Sequence, residues 1–123
     1  MTTVLIIDDE PDNIELLTRR LVRRGFVVLS AMSAEDGIAK AIAEQPDIVL
    51  MDIKMPIVDG FEATRRLKAD PATKAIPVIA LTNHAMQEDR DRAAAVGADE
   101  YETKPLDLDR LLAKIQALVT KIS

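Results

Sequence analysis

Runs of consecutive apolar residues recur along the chain: VLII at 4–7, FVVL at 26–29, IVLM at 48–51 and VIAL at 78–81. They are continuous where a half-exposed strand would alternate, which is the pattern of strands covered on both faces, as in a parallel sheet. Between them the period changes to that of a helix. Ile14, Leu17 and Leu21 mark a first helix that Gly25 stops. Ser33 with Asp36 opens a second in the manner of a capping box, with Ile38 and Ile42 as its apolar stripe. A third is predicted from about Phe61 to Leu67 and a fourth from about Ala85 to Val96, ended by Gly97. The last is the strongest: Leu108, Leu111, Leu112, Ile115, Leu118 and Val119 fall on one face. Only Asp99 to Glu102 is left for a fifth strand between the last two helices.

Five strand-then-helix units predict an α/β fold with a parallel sheet, because right-handed crossovers return each strand to the same end and place helices on both faces. No repeat, low-complexity tract or Gly/Ser linker interrupts residues 1–123, so one domain is expected. Its 123 residues suffice for a hydrophobic core. With no cysteine, thiol catalysis and Cys-based zinc sites are excluded. The apolar runs are too short to span a bilayer and MTTVLIIDDE has no basic n-region, so a soluble cytoplasmic protein is expected. A formal net charge of −5 argues against nucleic-acid binding by the surface as a whole, and Phe26, Phe61 and Tyr101 are too few for a base-stacking platform. A basic cluster, Arg19, Arg20, Arg23 and Arg24, stands out within this acidic chain.

In open α/β sheets, ligands sit beyond the carboxyl ends of strands where the strand order reverses. Asp8 and Asp9 follow the first strand, Asp52 ends the third, Thr82 ends the fourth and Lys104 follows the fifth. If strands one and three are neighbours, these five residues converge. Two carboxylates about 4 Å apart repel by roughly 4 kcal/mol at an effective dielectric of about 20. A hard divalent cation and the ammonium of Lys104 are the available remedies, and together they suit phosphoryl transfer to a carboxylate, with Asp52 as nucleophile. Taken singly each residue has an ordinary reading. Asp9, Glu10 or Asp12 could favour the first helix's N-terminus, Thr82 could be a turn residue, and Lys104 and Tyr101 could be surface and half-buried strand residues.

The set DDE at 8–10, DIKMPIVDG at 52–60, LT at 81–82 and YETKP at 101–105 closely resembles the receiver domain of two-component response regulators, the CheY-like family, over essentially the whole chain. The resemblance implies a (βα)5 flavodoxin-like, three-layer fold with strand order 2-1-3-4-5. It implies that Asp52 is the phosphoacceptor, that Asp9, Asp52 and the backbone carbonyl of Lys54 ligate Mg²⁺, and that Asp8 acts through a metal-bound water. Lys104 would pair with phosphoryl oxygens, placed by a cis bond to Pro105. Thr82 would hydrogen-bond a phosphoryl oxygen on activation, and Tyr101 would turn inward, changing the surface of the fourth helix, fifth strand and fifth helix. Pro56 and Gly60 would shape the loop after Asp52, with Gly60 supplying conformational freedom.

The implied partners are a sensor histidine kinase or a histidine phosphotransfer protein, docking through the first helix, and an output protein on the fourth-to-fifth-helix face with Arg90, Tyr101 and Lys114. A monomer or weak homodimer without membrane or direct nucleic-acid binding is expected, catalysing only its own phosphorylation and dephosphorylation. Where family members carry a small residue after the switch threonine, this chain has Asn83. Lys54 and His84 occupy the positions that commonly flank the attacking water. These three are expected to tune the lifetime of the acyl phosphate. A small Mg²⁺-dependent phosphohydrolase would need a D-x-D pair and a cap domain, and a flavodoxin-like cofactor carrier a hydroxyl- and glycine-rich loop, where DDEPDN stands instead. The remaining alternative is an unphosphorylated receiver acting as a scaffold.

Overall fold

The computed structural model describes residues 1–83 and 87–122. Their elements alternate in chain order: β1 Thr3–Ile7, α1 Pro11–Arg23, β2 Val27–Ala31, α2 Ala34–Glu44, β3 Ile48–Asp52, α3 Gly60–Ala69, β4 Val78–Thr82, α4 Gln87–Ala95, β5 Glu100–Thr103 and α5 Leu108–Ile122. The strands form one parallel sheet in the order β2-β1-β3-β4-β5, the flavodoxin-like order.

Side chains leave the sheet alternately, which divides the core between two layers of helices. Leu5, Ile7, Val49, Met51 and Val78 join Ala34, Ala41, Ala63 and Leu67 from α2 and α3. Val4, Ile6, Ile48, Leu50, Ile79 and Leu81 join Leu17, Leu21, Leu111 and Ile115 from α1 and α5. A third cluster of Ile53, Phe61, Ala80 and Ala93, with Tyr101 packed on it, lies between α3, α4 and β5. Both faces of β1, β3 and β4 are therefore dry, which accounts for their unbroken apolar runs.

The second strand starts one residue later than its apolar run. Gly25, at φ +90°, ends α1, and Phe26 still donates its amide back to Leu21, so pairing begins at Val27. The fifth strand likewise begins at Glu100 because Asp99 is spent bridging, its carboxylate accepting from the Val78 amide and pairing with Lys68 at 2.8 Å. Ser33 does cap α2, accepting from the Asp36 amide at 3.1 Å. The expected start of the fourth helix at Ala85 lies outside the described residues, and α4 is seen from Gln87.

Gly60 has a reason other than conformational freedom. Its φ is ordinary, but a Cβ there would overlap the Asp52 carbonyl oxygen and come 2.6 Å from Ile53 Cα. The left-handed residue of that loop is Ile57, at φ +68°. Close backbone approach thus fixes the first turn of α3 against the end of β3.

β5 is held by charge as much as by apolar contact. Glu102, 3% exposed, accepts from Arg110 Nε at 3.0 Å, and Lys114 Nζ lies 2.8 Å from its other oxygen, off the hydrogen-bonding direction. Lys114 also donates to the Tyr101 carbonyl at 2.7 Å. Because Glu102 is the buried member and both cations reach solvent, removing it relieves a desolvation cost, whereas removing Lys114 leaves the carboxylate under-compensated. Urea denaturation is expected to place Glu102→Leu within about 1 kcal/mol of wild type or above it, and to place Lys114→Met about 1–3 kcal/mol below it.

Candidate functional site

The β1–β3 register pairs Ile7 with Met51, so the following residues, Asp8 and Asp52, leave the sheet side by side. Since Val4, Leu5, Ile6 and Ile7 are completely buried, β1 cannot slip by one residue without turning its side chains to the wrong layers. The convergence is therefore dictated by the core. Asp8, Asp9 and Asp52 each offer a carboxylate oxygen within 4.8 Å of the other two. At that separation and an effective dielectric of about 20, each pair repels by roughly 3.5 kcal/mol.

Lys104 is delivered to the same edge by β5. Thr82 pairs with Thr103, and the Lys104 amide donates to the Thr82 carbonyl at 2.7 Å. The Lys104–Pro105 peptide is cis. The ammonium lies 3.4 Å from Asp8 Oδ2 and 3.5 Å from Asp52 Oδ1. Asp9 has no ion-pair partner among the described residues.

The three carboxylates differ in how far they are already committed. Asp8 is 1% exposed; its Oδ1 accepts from the Glu10 amide at 2.9 Å, and its Oδ2 faces Lys104 and Asn13 Nδ2 at 3.4 Å. The Asx turn it makes with Glu10 starts α1, whose first residue is Pro11 and whose N-cap, Glu10, makes no side-chain capping bond. Asp52 is buried and accepts weakly from the Lys54 amide at 3.3 Å. Burial first, and then the charge of Asp8, push its carboxyl up to about 6 against the opposing pull of Lys104. Asp9 is half-buried.

Thr82, 5% exposed, ends β4 one strand away, and Asn83 follows it. Lys54, Asp59, Thr82, Asn83 and Asp89 line a hollow of about 350 Å³ beside the site. Tyr101 is half-buried at the far side of α4, its ring centre 5.3 Å from the Arg90 guanidinium carbon. Pro56 is exposed in the loop after Asp52. His84 lies outside the described residues. Arg19, Arg20 and Arg23 on α1 and Arg24 at its C-terminal cap are exposed, with Arg19 paired to Glu15 at 2.9 Å and Arg24 reaching Asp109 at 4.0 Å. Asn13 escaped the reading of the sequence, although a carboxamide one turn into a helix that follows two aspartates is placed to steady one of them.

A parallel sheet of this order with an acidic cluster and a lysine on its carboxyl edge defines a response regulator receiver domain. The chain belongs to that family, matching the response regulator receiver domain over residues 4–116. It is 44% identical over 119 residues to the protein PilH of Pseudomonas aeruginosa, covering 97% of this chain and 98% of that one. Among solved structures, the chemotaxis protein CheY4 of Vibrio cholerae superposes with a TM-score of 0.90 at 28% identity over 96% of this chain and 98% of that one. The receiver domain of a Pseudomonas aeruginosa sensor histidine kinase, solved with a magnesium ion in its active-site cleft, does so at 0.89 and 28% identity over 97% of this chain and 98% of that one. Among the described residues, no helix is long and apolar enough to cross a membrane.

The raised Asp52 carboxyl makes stability fall with pH. Between its usual pKa near 3.8 and about 6 the folded protein binds more protons than the unfolded chain, so stability is lost as pH rises through that window. Asp52→Asn removes the slope. In metal-free buffer the variant is expected to match wild type below about pH 4 and to exceed it by about 1–2 kcal/mol above pH 6, allowing for solvent on the open side of the site. Urea midpoints across pH 3.5–7.5 check this; a constant difference over the whole range would contradict it.

Proposed function

We propose that residues 1–123 act as one receiver domain that accepts a phosphoryl group onto Asp52 from a phosphohistidine of a sensor kinase or phosphotransfer protein. The observation that carries the reading is the gathering of Asp8, Asp9 and Asp52 within 4.8 Å, with Lys104 3.5 Å from Asp52. In the transfer an Asp52 carboxylate oxygen forms a bond to phosphorus while the bond from phosphorus to the donor imidazole nitrogen breaks, the electron pair leaving with the imidazole. Lys104 is placed to bear on the transferred group's oxygens and Thr82 to donate its hydroxyl to one of them, so the chain contributes chiefly position and charge.

The donor set fits Mg²⁺. Three hard oxygen donors and an open side suit a cation that keeps several waters, and the net negative charge left beside Lys104 invites one. Asp9, without a competing ion pair, and Asp52, with the Lys54 carbonyl, would hold it directly. Asp8, with both oxygens engaged, would hold it through water. When bound, the ion supplies positive charge to Asp52 and to the phosphoryl oxygens.

A hollow of about 270 Å³ runs from Asp8 and Lys104 along α1, lined by Leu16, Arg20, Pro105 and Leu106, and supports docking of the phosphodonor on that side. The output surface lies on α4, β5 and α5, where Tyr101 is the residue that turns inward. Lys54 and Asn83, on the rim of the hollow that holds Thr82, together with His84, set the lifetime of the acyl phosphate by controlling water. The protein acts in the cytoplasm, as a monomer or weak homodimer.

Intact-mass spectrometry after incubation with a small acyl phosphate tests the reading. One phosphoryl adduct is expected, requiring Mg²⁺ and missing in Asp52→Asn. A folded, Mg²⁺-binding protein that gains no adduct would contradict it and favour an unphosphorylated scaffold. With the adduct in hand, Lys54→Ala and Asn83→Ala are expected to change its decay rate severalfold.

A further inference from the structure

The attachment of α4 is unusual in its chemistry. Its sequence, QEDRDRAAA, has no apolar stripe, and Ala93 is its one buried residue. Among the described residues its apolar hold is small: Ala93 packs with Ile53, Phe61 and Ala80, beside Val96 just past the end of the helix. Two arginines add to it. Arg90 stands over the Tyr101 ring on the β5 side, and Arg92 stands 4.2 Å from the centre of the Phe61 ring on the α3 side.

The two contacts differ in what lies behind them. Tyr101 is a half-buried strand residue at 5.3 Å. Phe61 is 5% exposed and packs in one cluster with Ile53, Ala80 and Ala93, so its face is fixed. Arg92 also lies 3.8 Å from Asp59 Oδ2, while Asp59 caps α3 by accepting from the Glu62 amide at 2.9 Å. The neighbouring carboxylate, Glu62, is taken up by Arg65 at 2.6 Å and Arg66 at 2.8 Å, leaving Asp59 to Arg92.

Asp59 and Phe61 flank Gly60, whose amide donates to the Ile53 carbonyl at 2.8 Å and whose Cα has no room for a methyl group against the Asp52 carbonyl. A displacement of the backbone at Asp52 cannot be absorbed at that junction. It must move the first turn of α3, and with it the ring and carboxylate on which Arg92 rests.

We propose that Arg92 is a positioning residue that ties α4 to the start of α3, which abuts Asp52, through Phe61 and Asp59, so that the state of the carboxylate site reaches α4 along this route as well as through Thr82 and Tyr101. The transmission half rests on the phosphoacceptor reading; the clasp itself does not. Arg92 is then the fixed side of α4, and Arg90 the side that changes when Tyr101 moves.

Hydrogen exchange of the α4 amides separates the two halves. In metal-free protein, Arg92→Gln and Phe61→Leu are each expected to speed exchange about two- to fivefold, with the double variant gaining clearly less than the product of the two. Independent, multiplying effects would overturn the clasp. With Mg²⁺ and beryllofluoride as phosphoryl mimic, wild type is expected to show an altered α4 exchange that Arg92→Gln reduces at least twofold and Arg92→Lys restores, all three binding the mimic. A full response in Arg92→Gln would overturn the transmission. Wild type that binds no beryllofluoride would count against the phosphoacceptor reading, and the metal-free cycle would still decide the clasp.

Discussion

Like charge held at the end of a dry strand is the constraint on which the rest of this structure turns. β1 is buried on both faces, so its register against β3 is set by side chains that have nowhere else to go. That register brings Asp8 up against Asp52, and the turn into α1 brings Asp9 to the same place. Repulsions of roughly 3.5 kcal/mol per pair are large beside a domain stability of about 5–15 kcal/mol. The hydrophobic core thus forces on the carboxyl edge an arrangement that the edge alone would not adopt.

Partial relief comes from the far side of the sheet. Lys104 reaches two of the three carboxylates because β5 pairs with β4 in a register that ends at Thr82 and Thr103. β5 is itself secured by ion pairs from α5 to Glu102. Relief stops short of Asp9, and an edge that retains uncompensated negative charge has an appetite for a cation. Under the proposed reading, an incoming phosphoryl group would change this balance of charge, and α4, which buries only Ala93, is the helix with the least apolar hold to oppose it.

Strands β1, β3 and β4 were legible in the sequence because burial on both faces leaves a continuous apolar run, and the gathering of Asp8, Asp9, Asp52 and Thr82 on one edge was legible because each stands at or just past the end of such a run. β2, at the sheet edge, was read one residue early, since Phe26 is apolar yet belongs to the turn after α1. β5 carries little apolar signal because a buried glutamate takes the place of an aliphatic residue. The role of Gly60 was legible only as a glycine in a loop; that the adjoining backbone excludes a methyl group is a property of the folded chain. Arg92 gave no signal, and Arg90 was read only as part of an output face, because periodicity detects apolar faces and not cations set over rings. Lys114, read from the sequence only as part of the candidate output face, also pairs with Glu102 and donates to the Tyr101 carbonyl, contacts that no sequence pattern announces.

The most direct test of stored repulsion relieved by a cation is the melting temperature at pH 7, with and without Mg²⁺, of wild type and Asp9→Asn. Mg²⁺ is expected to raise the wild-type melting temperature by mass action. Asp9→Asn is expected to melt higher than wild type in metal-free buffer and to respond little to Mg²⁺. A metal-free Asp9→Asn protein that melts lower than wild type would mean that Asp9 supports the fold, and that the edge stores no repulsion for a cation to relieve.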